Sequence, residues 1–188
     1  LRTRAAIVAA GCELFESRGY DETTVADIAA AADIGTRTFF GYFSSKEELL
    51  FPESDSRIAA VGDAIAGRSF EDRPVDVLLA ALLDVSLVST ELVGSGAALR
   101  LRLMQSVPAV RGRALQLQLI AQREIAAQLC DAYPELEPLE AAALVGAFVG
   151  AIGAALDSLL GAEDISAGDQ HELFMRLRRV VETVLSRS

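Results

Sequence analysis

Between Glu22 and Leu50 the chain sets helix-starting signals and a tight turn at spacings that leave few folds open. Thr24, with Asp27 three residues on, is a T-x-x-D capping box, in which the hydroxyl accepts an orphan backbone N–H and the carboxylate reaches back to the cap amide. Val25, Ile28, Ala29 and Ala32 form one apolar stripe behind it, so a short second helix is expected. Asp33-Ile34-Gly35 reads as a turn, and Thr36 to Phe43 as a third short helix with Phe39 and Phe43 four apart on one face. Ser44-Ser45-Lys46-Glu47 has the S-x-x-E form and predicts the opening of a fourth helix. Upstream, Ile7, Ala10, Leu14 and Phe15 recur at helical spacing over Arg2 to Ser17, and Gly19 supplies the stop. Two short helices joined by a tight turn and packed on a longer first helix is the layout of a helix-turn-helix domain.

Downstream, Pro52 removes a backbone donor and restricts Phe51, which predicts a break or kink, then a helix from about Glu53 to Ala66. Pro74 opens a very apolar helix to about Val93, and Gly94-Ser95-Gly96 separates it from the next. Leu99, Leu101 and Leu103 alternate with Arg100 and Arg102, a strand-like pattern that the helical neighbours override. Pro108 opens a long helix with Ala114, Leu117, Ala121 and Ile125 inward, ending near Tyr133-Pro134. Another runs from Leu139 to Leu160, and a last one from about Gly168 to Arg187 carries Leu173, Leu177, Val180 and Val184. With 52% hydrophobic residues, five prolines and no tryptophan in 188 residues, the chain reads as all-α. Residues 1–50 form the three-helix helix-turn-helix domain in this reading, and residues 51–188 a larger helical domain.

Cys12 and Cys130 are far apart with no metal-ligand spacing, so they read as reduced thiols in a cytoplasmic protein. His171 beside Glu172 reads as a solvated side chain. No constellation of nucleophile, base and acid appears, and an enzyme is disfavoured; no metal or cofactor is expected. Neither a signal peptide nor a membrane span is expected. The longest uncharged run, Ala141 to Leu156, falls short of about 18 residues, lies between Glu140 and Asp157, and reads as a buried helix.

The stretch ETTVADIAAAADIGTRTFFGYFSSKEELL, Glu22 to Leu50, closely resembles the DNA-binding signature of the TetR family of bacterial repressors. The resemblance implies a homodimer that binds palindromic double-stranded operator DNA and is released by a small-molecule effector. It places Thr24 at a phosphate and puts Thr36, Arg37 and Thr38 at the start of the recognition helix. Arg37 there has the fork geometry to read a guanine. Tyr42 and Lys46, the only lysine in the chain, correspond to phosphate contacts, and Phe40 stands where a tyrosine is common. Gly35 stands where the family often has a capping serine. The net charge of -10 opposes DNA binding, and even residues 1–50 carry five basic groups against eight acids. A helical ligand-binding protein without specific DNA binding is therefore the alternative.

Between Glu91 and Glu124 there is no acid, yet Arg100, Arg102, Arg111, Arg113 and Arg123 all occur. Either these arginines pair with acids on neighbouring helices or on a dimer mate, or several guanidinium forks meet an anionic effector. The TFFGYFSSKEELLF run and the long apolar helices resemble the branch of the family that includes the mycofactocin-system regulator, which implies acyl-CoA-type ligands, an anionic head with an apolar tail. Arg100, Arg102, Met104, Arg123 and Phe148 are the effector-site candidates. Gly146-x-x-x-Gly150 suits close helix packing, and the resemblance assigns the last two helices to a four-helix dimer interface.

Overall fold

A computed structural model describes residues 2–52, 54–88, 95–162 and positions 179, 180 and 183. Its helices are α1 (Arg2–Arg18), α2 (Val25–Ala31), α3 (Thr36–Tyr42), α4 (Ser54–Ala66), α5 (Pro74–Val88), α6 (Ser95–Ser106), α7 (Pro108–Ala132) and α8 (Pro138–Ala162), with a single 3₁₀ turn over Glu47–Leu50. The described residues are all-α, without strands. Of the expected last helix, Leu173, Leu177 and Val184 lie outside the described residues, while Arg179, Val180 and Thr183 are helical and exposed; His171 and the end of the expected fifth helix beyond Val88 also lie outside them.

The chain divides into two compact units. The first comprises Leu1–Pro52 with Gly96–Leu115, the second Glu53–Ser95 with Gln116–Ser188. The boundary therefore falls inside α7, after Leu115.

In the first unit, α1 buries Ile7, Gly11 and Phe15, one turn apart each. Gly19, at φ 90°, ends the helix in the left-handed region that glycine enters without Cβ strain. Thr23 then closes the end by donating its hydroxyl to the Gly19 carbonyl at 2.7 Å. Gly11 is required by packing rather than by φ: a Cβ there would lie 2.6 Å from Leu49 Cδ1. Its absence lets α1 lie directly on the 3₁₀ turn. Ile28, Phe39 and Leu49 are fully buried around this contact, each contributing about 1.5–3 kcal/mol by leaving water.

The fourth helix expected from Ser44 is not formed. Ser44 bonds Glu48 rather than Glu47, through N–H and hydroxyl at 2.7 and 2.6 Å, and the segment makes only one 3₁₀ turn. Glu47 is drawn aside, accepting the Tyr20 hydroxyl at 2.6 Å. Pro52 cannot donate, so the turn ends at Leu50 and the next helix begins at Ser54, which is the expected break.

The second unit has its own core. Ile58, Val61 and Ile65 of α4, Leu78, Ala81 and Leu82 of α5, Ile125 and Leu129 of α7 with Tyr133 just beyond it, and Ala141, Val145 and Phe148 of α8 form one cluster. The 3- and 4-residue spacings are those of single helix faces. Arg68 lies over the Tyr133 ring at 4.6 Å and donates to the Ile65 and Ala132 carbonyls, and the Tyr133 hydroxyl donates to the Asp72 carbonyl at 3.0 Å. The alternating Leu99, Leu101, Leu103 segment is helical, as its neighbours required.

One expectation needs correcting here. The α8 run is not wholly buried: Ala141, Val145 and Phe148 face the core, while Ala142, Ala143, Ala147, Gly150, Gly153 and Ala154 are exposed. By length and composition, the window Pro138–Ala155 would suffice to cross a membrane. That face opens on free space among the described residues: a Cβ added at Gly146, Gly150 or Gly153 would meet nothing within 4 Å.

Candidate nucleic-acid interface

The residues from Thr24 to Tyr42 hold themselves in place with local bonds. Thr24 Oγ1 accepts the Asp27 N–H at 3.1 Å, and Asp27 Oδ2 accepts the Thr24 N–H at 2.9 Å, so the capping box forms as read. The Thr24 hydroxyl also donates to Asp27 Oδ2 at 2.5 Å. These bonds hold the Asp27 carboxyl below the usual aspartate value, the side-chain bond from Thr24 contributing most. Thr24 is thus exposed, but its hydroxyl serves the helix start.

At the other end of α2, Asp33 takes φ 54°, a left-handed conformation that aspartate tolerates better than most residues. Its N–H bonds the Ala30 carbonyl at 3.1 Å and the Ile34 N–H bonds the Ala29 carbonyl at 2.9 Å, the two crossed bonds of a Schellman turn. The expected turn is therefore present, and Asp33 rather than Gly35 supplies its reversed residue. Gly35 is the N-cap of α3 with no side-chain bond.

Helix α3 has two faces. Phe39 is fully buried and Phe43, its C-cap, is 1% exposed; their ring centroids are 5.9 Å apart. Phe40 meets Phe39 edge-on at 5.4 Å and remains 58% exposed. Thr36, Arg37, Thr38, Phe40 and Tyr42 all lie on the open face. Among the described residues, Arg37 and Tyr42 have no hydrogen-bond or ion-pair partner on the protein. A guanidinium, a phenol and two hydroxyls on one exposed helical face can donate to phosphate oxygens and to base edges.

Lys46 has an internal task. Its Nζ donates to the Tyr20 carbonyl at 2.7 Å and to the Thr23 carbonyl at 3.0 Å, and lies 4.0 Å above the Tyr20 ring. It clamps the α1–α2 connection to the segment after α3, leaving one ammonium proton for another acceptor. Burial pushes the Tyr20 phenol well above its ordinary value, and its bond to Glu47 adds to this. Burial also raises Glu47, but hydrogen bonds from Ser45 and Tyr20 and the charge of Lys46 outweigh it, so the carboxyl lies below the usual glutamate value.

Sequence reasoning missed Tyr20 and Glu48. Glu48 Oε2 takes both Ser44 donors, and its Oε1 lies 3.5 Å from Arg113 Nη2. Burial raises the Glu48 carboxyl, and the Ser44 bonds with the charges of Arg113 and Arg4 more than reverse this. The spacing pointed Ser44 to Glu47, but Glu47 takes the distant Tyr20 hydroxyl, a partner that no local spacing reveals.

The effector-site candidates do not come together as one set. Arg100, Arg102 and Met104 belong to the first unit, and Arg123 and Phe148 to the second. Arg102 and Arg123 are exposed, Met104 is half-buried, and Arg100 is half-buried with its guanidinium 5.8 Å from the Phe51 ring centroid. Phe148 is 3% exposed and packs in the core. A groove of about 570 Å³ in the second unit is lined by residues that include Ala60, Asp63, Ala64, Arg68, Asp72 and Val77, and by none of the five candidates.

Residues 7–51 match the family of bacterial regulatory proteins named tetR. Over 113 residues the chain is 33% identical to the HTH-type transcriptional regulator TcmR of Streptomyces glaucescens, covering 59% of this chain and 50% of that protein. It thus spans about half the length of the curated relatives it matches. Among solved structures, the fatty acid degradation regulator FadR from Bacillus halodurans aligns with a TM-score of 0.60 at 17% identity, covering 97% of this chain and 94% of that one. FadR from Thermus thermophilus, a TetR-family transcriptional repressor solved in complex with lauroyl-CoA, aligns with a TM-score of 0.53 at 20% identity, covering 95% and 92%. At these identities the structural likeness is one of fold. Residues 7–51 thus carry both the helix-turn-helix geometry and the match to the tetR family of bacterial regulatory proteins, while the likeness over the rest of the chain is one of fold.

Proposed function

We propose that this chain is a cytoplasmic, ligand-responsive repressor that binds a palindromic operator as a homodimer. The observation that carries the reading is the open face of α3, where Arg37 and Tyr42 have no partner among the described residues and lie beside the buried Phe39 and Phe43. In this reading Thr36, Arg37 and Thr38 meet base edges, and Tyr42, Lys46 and the Thr24 end of α2 meet phosphates, with Phe40 packed against the groove wall. The domain organisation follows: residues 1–50 bind DNA, and residues 51–188 bind effector and dimerise. The exposed alanine and glycine face of α8 supports dimerisation, since small residues let helices approach closely.

The effector we propose is anionic with an apolar tail, an acyl-CoA being the example. Arg102 and Arg123 are the exposed cations in favour of it, and the reading is supported by the Thermus thermophilus protein of similar fold, which was solved in complex with lauroyl-CoA. Induction requires that the effector prefer the DNA-incompetent state, so DNA must weaken effector binding by the same factor.

Selection of bound genomic fragments followed by gel-shift titration tests DNA recognition. Arg37→Ala should cost about 1–3 kcal/mol and relax the preference at one base position. Equal loss at every position would remove Arg37 from base reading. Absence of any selected sequence would favour the ligand-binding alternative, to which the acidic balance of residues 1–50 already points. Calorimetric titration with acyl-CoA thioesters, with and without operator, tests the effector; equal binding in both conditions would remove it as inducer.

A further inference from the structure

Three arginines of the acid-free stretch, Arg100, Arg111 and Arg113, have work inside the first unit. Arg111 caps the end of α6, its Nε donating to the Met104 carbonyl at 2.9 Å and its Nη2 to the Gln105 carbonyl. Arg100 reaches over the Phe51 ring. Arg113, in the first turns of α7, pairs with Glu48, and both side chains are about three-quarters buried, at 24% and 23% exposure. Glu48 in turn holds Ser44, the residue directly after the C-cap of the recognition helix. Arg4 completes the arrangement, donating to the Pro52 carbonyl at 2.7 Å and lying 4.6 Å from the Phe43 ring centroid. A chain of polar contacts thus runs from α7 through Glu48 to the end of α3.

We propose that Arg113 is a positioning residue for DNA binding: with Glu48 and Ser44 it forms an ionic latch by which α7 fixes the orientation of the recognition helix. The inference rests on the DNA-binding reading above and adds residues that touch no DNA. Its logic is mechanical. The helix-turn-helix has an apolar core of its own, in which Ile28, Phe39, Phe43 and Leu49 are all buried. Opening the latch therefore leaves the binding surface intact and frees its orientation relative to α7. A single half-site does not notice that freedom. Two half-sites engaged at once do, because the second contact depends on the effective concentration that a fixed geometry supplies. A partly buried pair is screened less by salt than an exposed one, so the latch holds at physiological ionic strength.

The test uses the full chain and the operator obtained by selection from genomic fragments. Arg113→Ala, Glu48→Gln and the exchange Arg113→Glu with Glu48→Arg are compared with wild type on the palindrome and on a single half-site of the same sequence. Thermal unfolding runs in parallel. The single variants are expected to bind the palindrome about five- to tenfold more weakly while half-site affinity stays within about twofold. The exchanged pair restores the ion pair with α7 but not the Ser44 bonds, since a guanidinium cannot accept, and should recover only part of the loss. Parallel loss on both DNAs would overturn the proposal and make Arg113 a direct contact or a general stabiliser. Unchanged palindrome binding would overturn it as well. A wild type that binds neither DNA removes the DNA-binding reading itself, an outcome distinct from failure of the latch.

Discussion

Replacing Lys46 by methionine keeps the aliphatic stem and removes the ammonium. The structure gives that group two charge-assisted hydrogen bonds, to the Tyr20 and Thr23 carbonyls at 2.7 and 3.0 Å, and a position 4.0 Å above the Tyr20 ring. Each such bond contributes about 1.5–3 kcal/mol and the ring contact about 0.5–1 kcal/mol at a partly exposed site. Lys46 is half-buried, so water replaces part of what is lost when the ammonium goes. The expected net loss is therefore about 2 kcal/mol, which corresponds to a drop of about 4–8 °C in the unfolding midpoint of a chain this size. Thermal and urea unfolding followed by circular dichroism measure it, with operator affinity against salt concentration measured on the same variant. A residue that only met a phosphate would behave differently. Stability would be unchanged, and the slope of log affinity against log salt would flatten by about one unit. Wild-type stability within about 0.5 kcal/mol, together with a flattened slope, would refute the internal clamp.

Gly11→Ala and Gly112→Ala should have opposite signs: at Gly112 a Cβ meets nothing and helix propensity adds about 1 kcal/mol, whereas at Gly11 it meets Leu49 Cδ1 at 2.6 Å and overpacking of about 1–3 kcal/mol opposes that gain. Urea midpoints of the two variants check this, and equal stabilisation would contradict the close contact of α1 with the 3₁₀ turn. Glu47 and Glu48 both have carboxyls below the usual glutamate value, so the stability they contribute is complete above that ordinary value, near 4.5, and is lost as pH falls through their lower folded values. Tyr20→Phe removes the hydroxyl bond to Glu47, costing about 1 kcal/mol at pH 7 and leaving less to lose in acid. Unfolding midpoints of variant and wild type at pH 7 and pH 3 should therefore lie closer together at the lower pH, and a constant gap would contradict it.

Helix order, the capping box at Thr24, the stop at Gly19 and the break at Pro52 were legible because each depends on a few neighbouring residues and the bonds they make with their own backbone. The open face of α3 was legible for the same reason, since Phe39 and Phe43 lie four apart and turn the residues between them outward. What depended on distant partners was not. The capping rule pairs Ser44 with Glu47, three residues on, but Tyr20 reaches Glu47 across 27 positions and Ser44 bonds Glu48 instead. The acid-free run of arginines admitted both structural pairing and an anionic ligand. Tertiary packing assigned Arg113 to Glu48, Arg111 to the end of α6 and Arg100 to the Phe51 ring, and left Arg102 and Arg123 exposed. Charge and periodicity along a chain determine which residues form a helix and which face it buries, but the partner of a charge is set by the helix that packing brings beside it.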